Sequence, residues 1–190
     1  MSAIPELRTE RLLLRPFTPA DADGIHALLS VPDIAATTLN IAYPYPEGAA
    51  LDWIATQQEA AEAGHTFRWA ITHASDGSLM GSITLGVTGR HRRGALGYWL
   101  GVPFWNRGFV SEATRRVITF GFDTLGLDRI EASCYPRNVA SARVMMNAGM
   151  RYEGTLRWYV RKGNTSEDIA MYAVLRSDLD AARPESSREP

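Results

Sequence analysis

Residues 94–113 run Gly-Ala-Leu-Gly-Tyr-Trp-Leu-Gly-Val-Pro-Phe-Trp-Asn-Arg-Gly-Phe-Val-Ser-Glu-Ala, and they constrain the fold more than any other stretch. They read as a strand, a short turn and the first turn of a helix opening at Gly108. Such a junction aims several unpaired backbone N–H groups at one point, with the positive end of the helix dipole behind them. An anionic group, most naturally a phosphate, fits there. No proline lies between Trp105 and Ser111, so every one of those donors exists. Gly108, without a Cβ, lets the backbone approach an anion closely.

The flanking sequence supplies the rest of a mixed sheet. Arg8–Arg15 reads as a strand, and Thr18 opens a helix with Pro19 at its first position and Asp21 three residues after the cap, running to about Ser30. Asn40–Gly48 carries two prolines and reads as a loop. Ala49–Ala63 reads as a helix with Leu51, Ile54, Gln58 and Ala61 on one face, ended by Gly64. Strands are expected at Phe67–His73 and Leu79–Val87, joined by a hairpin at Asp76-Gly77. Arg90–Arg93 forms a second turn before a strand at Leu96–Gly101. The helix from Gly108 carries Val110, Ala113, Thr114, Val117, Ile118 and Gly121 along one stripe. A strand at Asp128–Tyr135 and a helix from Asn138 to Gly149 follow. Two last strands, Met150–Val160 and Ile169–Leu175, are joined at Gly163-Asn164.

The expected order is β-α-α-β-β-β-α-β-α-β-β: one α/β (α+β) sheet of seven strands with helices on both faces. The unit spanning residues 96–135 should be parallel and right-handed. A single domain over residues 1–182 and a disordered tail at 183–190 are expected.

Composition removes several function classes. The net charge of −1 argues against direct nucleic-acid binding. No apolar run approaches the roughly 20 residues a membrane span needs, and the N-terminus lacks the regions of a signal peptide, so a cytoplasmic protein is expected. Cys134 is the only cysteine, which excludes an intrachain disulfide, and it reads as a small buried thiol rather than an acyl carrier. His26, His65, His73 and His91 show no ligand spacing, so no metal site is expected. The Arg90–Arg93 cluster reads as a solvated hairpin tip.

Several blocks occur in one order along the chain: Thr9-Glu10-Arg11-Leu12-Leu13-Leu14-Arg15-Pro16; Gly97-Tyr98-Trp99-Leu100; Trp105-Asn106-Arg107-Gly108-Phe109-Val110-Ser111-Glu112-Ala113; Asn138-Val139-Ala140-Ser141; Asn147-Ala148-Gly149-Met150; Glu153-Gly154-Thr155-Leu156-Arg157; and Asp168 followed by Tyr172. Together they resemble the RimJ/RimL-like branch of the GNAT superfamily of acetyl-CoA-dependent N-acetyltransferases. The resemblance covers roughly residues 8–176. It implies a mostly antiparallel sheet with a central splayed parallel pair and acetyl-CoA as co-substrate. Its pantetheine would lie along backbone groups of Leu100, Gly101 and Val102. Its pyrophosphate would sit on the amides of Arg107, Gly108, Phe109, Val110 and Ser111, with Arg107 adding a charge-assisted contact. The chain departs from the family where Asn106 replaces a frequent glycine and Val110 a frequent alanine.

On spacing alone, Asn138 is a helix N-cap and Ser141 its neighbour on the first turn. Under the resemblance, Asn138 holds the pantetheine arm and Ser141 is the catalytic residue, donating a proton to the departing CoA thiolate. Tyr43 and Tyr45 fall where the family has a lip over the acceptor, or else form a rigid connection between two helices.

Acetyl transfer needs a neutral amine, yet the central strand, Ala95-Leu96-Gly97-Tyr98, carries no carboxylate. Glu131 and Glu153 are the remaining bases, acting through water, or else are structural carboxylates. Deprotonating a lysine at pH 7 costs about 4.6 kcal/mol and an α-amine about 1.4 kcal/mol. A site without a strong base therefore suits an α-amine, and the leading acceptor is a protein N-terminus of ribosomal type. A small amine (an antibiotic, a polyamine or an aminoacyl-nucleotide) is the second enzyme reading, and a non-catalytic acyl-CoA-binding domain the third. Either a monomer or a homodimer fits the sequence.

Overall fold

A computed structural model describes residues 4–57 and 65–182. Its eight strands are β1 (Leu7–Arg8), β2 (Leu12–Arg15), β3 (Thr66–His73), β4 (Leu79–Thr88), β5 (Arg93–Leu100), β6 (Arg129–Cys134), β7 (Arg151–Lys162) and β8 (Thr165–Leu175). They form one sheet in the order β1-β2-β3-β4-β5-β6-β8-β7. Only β5 and β6 pair in parallel; every other neighbour is antiparallel. The helices are α1 (Ala22–Leu29), α2 (Pro32–Thr37), α3 (Ala49–Ala55), α4 (Phe109–Asp123), α5 (Val139–Asn147) and α6 (Arg176–Ala182).

Eight strands replace the seven expected, because the expected first strand at Arg8–Arg15 is broken. The Thr9 amide donates to the Leu12 carbonyl at 3.0 Å, and the Leu12 amide returns a bond to Thr9 Oγ1 at 2.9 Å. These reciprocal bonds close a turn and fold β1 back on β2. Helix α2 was not anticipated; Pro32 at its first position supplies a preset φ and gives up an amide that has no partner there anyway. The helix expected from Ala49 is seen to Ala55; Gln58, Ala61 and Gly64, and the tail from residue 183, lie outside the described residues.

The alternation of β3 to β5 decides which helix covers which face. Phe67, Trp69 and Ile71 face α4, where Phe120 meets the Phe67 and Trp69 rings edge-on at 5.5 Å. Arg68, Ala70 and Thr72 point to the opposite face. There Ile25 and Leu29 of α1, Ile34 of α2, and Ala50 and Ile54 of α3 form a second core against Trp99 of β5. The two cores meet at Trp105, which packs against both.

Candidate active site

The pairing of β5 with β6 runs from Arg93↔Arg129 to Leu96↔Ala132 and stops there. Both strands continue, β5 to Leu100 and β6 to Cys134, so they separate from Gly97 onward. The Gly101 amide donates to the Met80 carbonyl of β4 at 2.8 Å. By alternation, the backbone groups turned into the gap are those of Tyr98 and Leu100. The Leu100 carbonyl accepts from the Trp105 indole at 2.6 Å, which ties the following turn to the strand end. Gly101 and Val102, the other two expected pantetheine positions, do not line the cavity.

The turn then delivers α4. Asn106 has φ 58° and Gly108 φ 78°. Both lie in the left-handed region, which asparagine tolerates better than any residue except glycine. This accounts for Asn106 standing where the family often has glycine. The first-turn amides of Phe109, Val110 and Ser111 have no partner within the helix and face the cavity mouth. Arg107 is exposed and Val110 packs against the larger core.

A buttress behind this loop went unrecognised in the sequence. The Glu112 carboxylate accepts from the Thr9 hydroxyl at 2.6 Å, the Arg11 amide at 3.0 Å and Arg11 Nε at 2.7 Å. Arg11 Nη1 donates to the Arg107 carbonyl at 3.1 Å, and its guanidinium lies 4.6 Å from the Phe109 ring centroid. Burial raises the Glu112 pKa, but the bonds from Thr9 and Arg11 outweigh it and hold the carboxyl below its ordinary range. The Thr9-Glu10-Arg11 block thus clamps the loop ahead of α4 from behind.

At the splay, Ser141 on the first turn of α5 meets Tyr98 on β5. Their hydroxyls are 2.8 Å apart. Tyr98 lies on the α4–α5 side of the sheet, opposite Gly97 and Trp99. Burial pushes its phenol well above the ordinary range, against a smaller pull from Ser141. Asn138 caps α5: its Oδ1 accepts from the Ser141 amide at 3.0 Å, leaving the side-chain NH₂ for other partners. Cys134 also lines the cavity, and burial raises its thiol pKa, so it stays protonated and weakly nucleophilic.

These groups share a cavity of about 1420 Å³, larger than a single drug-sized ligand requires. Its other end lies over the α1–α3 face, between Tyr45, Trp53, Arg68 and Trp99. Across it, β7 contributes Tyr159 through a bulge in which the Trp158 amide donates to Asp168 Oδ1 at 2.8 Å and Trp158 takes φ 51°. Lys162 at the hairpin end donates to the Thr38 carbonyl at 2.7 Å and to that of Ala35, holding the end of α2 against this rim. Of the two lip candidates, Tyr45 lines the cavity and Tyr43 points away, 55% exposed.

Neither candidate base reaches the cavity. Glu153 is held by both Arg129 Nη atoms at 2.6 Å, and Glu131 lies 3.1 Å from Arg129 and 3.7 Å from Arg93. Among the described residues the cavity lining holds three arginines (Arg68, Arg137 and Arg143) and no carboxylate or histidine. Nor do those residues contain a cluster of three or more metal-ligating groups.

A splayed parallel pair, left-handed residues ahead of a long helix and a hydroxyl pair at the splay share one cavity, an arrangement suited to acyl transfer. Known proteins agree. The "Acetyltransferase (GNAT) domain" family matches residues 11–151. The uncharacterized N-acetyltransferase YoaA of Bacillus subtilis is 31% identical over 173 residues, covering 90% of this chain and 97% of YoaA. The crystal structure of a GNAT-family acetyltransferase from Bacillus anthracis superimposes with a TM-score of 0.82 at 26% identity, over 91% of this chain and 99% of that one. Mycobacterium smegmatis RimJ, solved in complex with CoA-disulfide, does so with 0.79 at 22% identity, over 94% and 93%; that likeness is one of fold. The chain belongs to the GNAT acetyltransferase family. It is an N-acetyltransferase.

Proposed function

We propose that this enzyme acetylates an α-amine by direct attack on acetyl-CoA, as its RimJ/RimL-like motifs suggest, with a protein N-terminus of ribosomal type as the leading acceptor. One observation carries the reading. The cavity pairs a proton source, Tyr98–Ser141, with no general base among its described lining residues. An amine that is already partly neutral at pH 7 needs none, because water can carry its proton away. The amine nitrogen attacks the thioester carbonyl carbon and the C–S bond breaks. Ser141 gives its proton to the departing sulfur, and Tyr98 hydrogen-bonds the serine oxygen as charge develops on it. The proton lost by the amine returns through water to the serine oxygen, balancing the one gained by the thiolate. A Leu100 backbone N–H in the gap would face the carbonyl oxygen. The protonated Cys134 supports a route without an acyl-enzyme.

The pyrophosphate would occupy the first-turn amides of Phe109 to Ser111 beside Arg107, and the pantetheine arm the gap beside Leu100, within reach of the Asn138 NH₂. Polyamine and aminoglycoside acceptors lose ground, because a polycation has no carboxylate to meet among the described lining residues. Ser141→Ala should lower kcat about 100-fold while weakening acetyl-CoA binding far less, and Tyr98→Phe about ten-fold, both read by release of free CoA thiol. An unchanged kcat in Ser141→Ala would remove this residue from the mechanism.

A further inference from the structure

Arg68 lies in the acceptor half of the cavity, and among the described residues most of its hydrogen-bonding capacity is unused. It sits on β3, on the face covered by α1–α3, and pairs in register with Thr84, which pairs in turn with Gly97. The three residues make a straight row across the sheet, ending where the parallel pairing stops. A Cβ built on Gly97 meets nothing within 4 Å, so the floor between Arg68 and the splay is open.

A guanidinium has five N–H donors. Arg68 Nε donates to Thr84 Oγ1 at 3.0 Å, and the guanidinium lies 5.1 Å from the Trp53 ring centroid. Among the described residues no carboxylate forms an ion pair with it, whereas Arg137, another cavity arginine, is held by both oxygens of Glu167 at 2.6 and 3.0 Å. Burial lowers the Arg68 pKa, and no charge among the described residues restores it. A half-buried cation without a counter-ion is costly to keep unless a ligand supplies one. The planar fork matches carboxylate and phosphate oxygens two at a time; Trp53 packs against its guanidinium, and Tyr45 lines the same cavity.

We propose that Arg68 selects the acceptor: the preferred substrate is an α-amine that carries its own anionic group, a carboxylate or a phosphate, which docks on the Arg68 fork while the amine lies over Gly97 at the splay. This deepens the α-amine reading above and rests on it. Two inter-strand spacings, about 10 Å, separate the Arg68 backbone from Gly97, and the arginine side chain spans part of that distance. The remainder suits an amine and an anion on one small molecule, or on the first two residues of a peptide.

The test uses acceptor pairs matched except for charge: amino acids against their amides, O-phosphoserine amide against serine amide, and peptides with aspartate against asparagine at the second position. Each is assayed by acetyl-CoA consumption with the wild type, Arg68→Gln and Arg68→Lys, thermal unfolding verifying that the variants fold. Removing a carboxylate also changes amine basicity, so selectivity is read as the change between wild type and variant. Arg68→Gln should lose kcat/KM for at least one kind of charged acceptor by ten-fold or more beyond its loss on the neutral partner. Arg68→Lys should keep part of the preference. Whether the amino acid, phosphate or peptide arm responds identifies the source of the anion. Equal losses on charged and neutral partners in all arms would overturn the Arg68 assignment and leave the α-amine reading standing. A protein that binds acetyl-CoA yet consumes it with no acceptor would overturn both.

Discussion

Replacing Glu112 with alanine should weaken acetyl-CoA binding although Glu112 is not among the residues that line the cavity. Glu112 is only 13% exposed and holds three donors from Thr9 and Arg11. Charge-assisted bonds contribute about 1.5–3 kcal/mol each, but Arg11 is 42% exposed and recovers part of that from water. A net destabilisation of about 2–3 kcal/mol follows, a fall in Tm of roughly 5–10 °C for a chain of this size. The loop effect is separate. Arg11 also ties down the Arg107 carbonyl and the Phe109 ring, so releasing it lets the first-turn amides of α4 fan apart, and acetyl-CoA Kd should rise about ten-fold, near 1.4 kcal/mol. Calorimetric titration with acetyl-CoA below the lowered Tm reads the second effect, and thermal unfolding the first. The Glu112 carboxyl titrates below its ordinary value of 4.5 in the folded protein, so its contribution is complete above that pH. The contribution fades as pH falls through the lower folded value, and wild type and Glu112→Ala should converge in stability there. A variant that loses stability but binds acetyl-CoA unchanged would refute the clamp.

Two other substitutions probe the same end of the sheet. Asn106→Val should cost about 1–2 kcal/mol and weaken acetyl-CoA binding, whereas Asn106→Gly should be near neutral, because φ 58° suits glycine and disfavours a β-branched residue; denaturant unfolding with each variant measures this. Gly81→Ala places a Cβ 2.3 Å from the Trp99 carbonyl and 2.9 Å from the Leu100 Cα, both backbone, so β5 must shift where it leaves β6. An expected loss of about 2–3 kcal/mol, together with a fall in kcat, is checked by unfolding and steady-state kinetics.

Most of the order of elements and the turn into α4 at Gly108 were legible because they rest on local signals: turn residues, a helix stripe and a glycine at a helix start. What escaped depends on pairs far apart in the chain. The clamp on the loop ahead of α4 needs Glu112, 101 residues beyond Arg11, and the hydroxyl pair joins Tyr98 to Ser141 across 43 residues. Arg68 was hidden for another reason. Ala70 and Thr72 on its face of β3 are as buried as Phe67 and Trp69 on the other, so the strand reads as core on both sides, and only the helices covering that face show where the cavity opens. Glu131 and Glu153 are carboxylates whose arginine partners keep them structural, which required the pairing of β6 and the position of β7 to be seen.

The central claim, α-amine acetylation without a strong base, meets its most direct test in one peptide bearing a free N-terminus, an acidic second residue and an internal lysine. At pH 7 the α-amine is neutral about 250 times more often than the lysine. Incubated with enzyme and acetyl-CoA and mapped by mass spectrometry, the peptide should gain a single acetyl group on its α-amine. Acetylation of the lysine with the N-terminus left free would contradict the account.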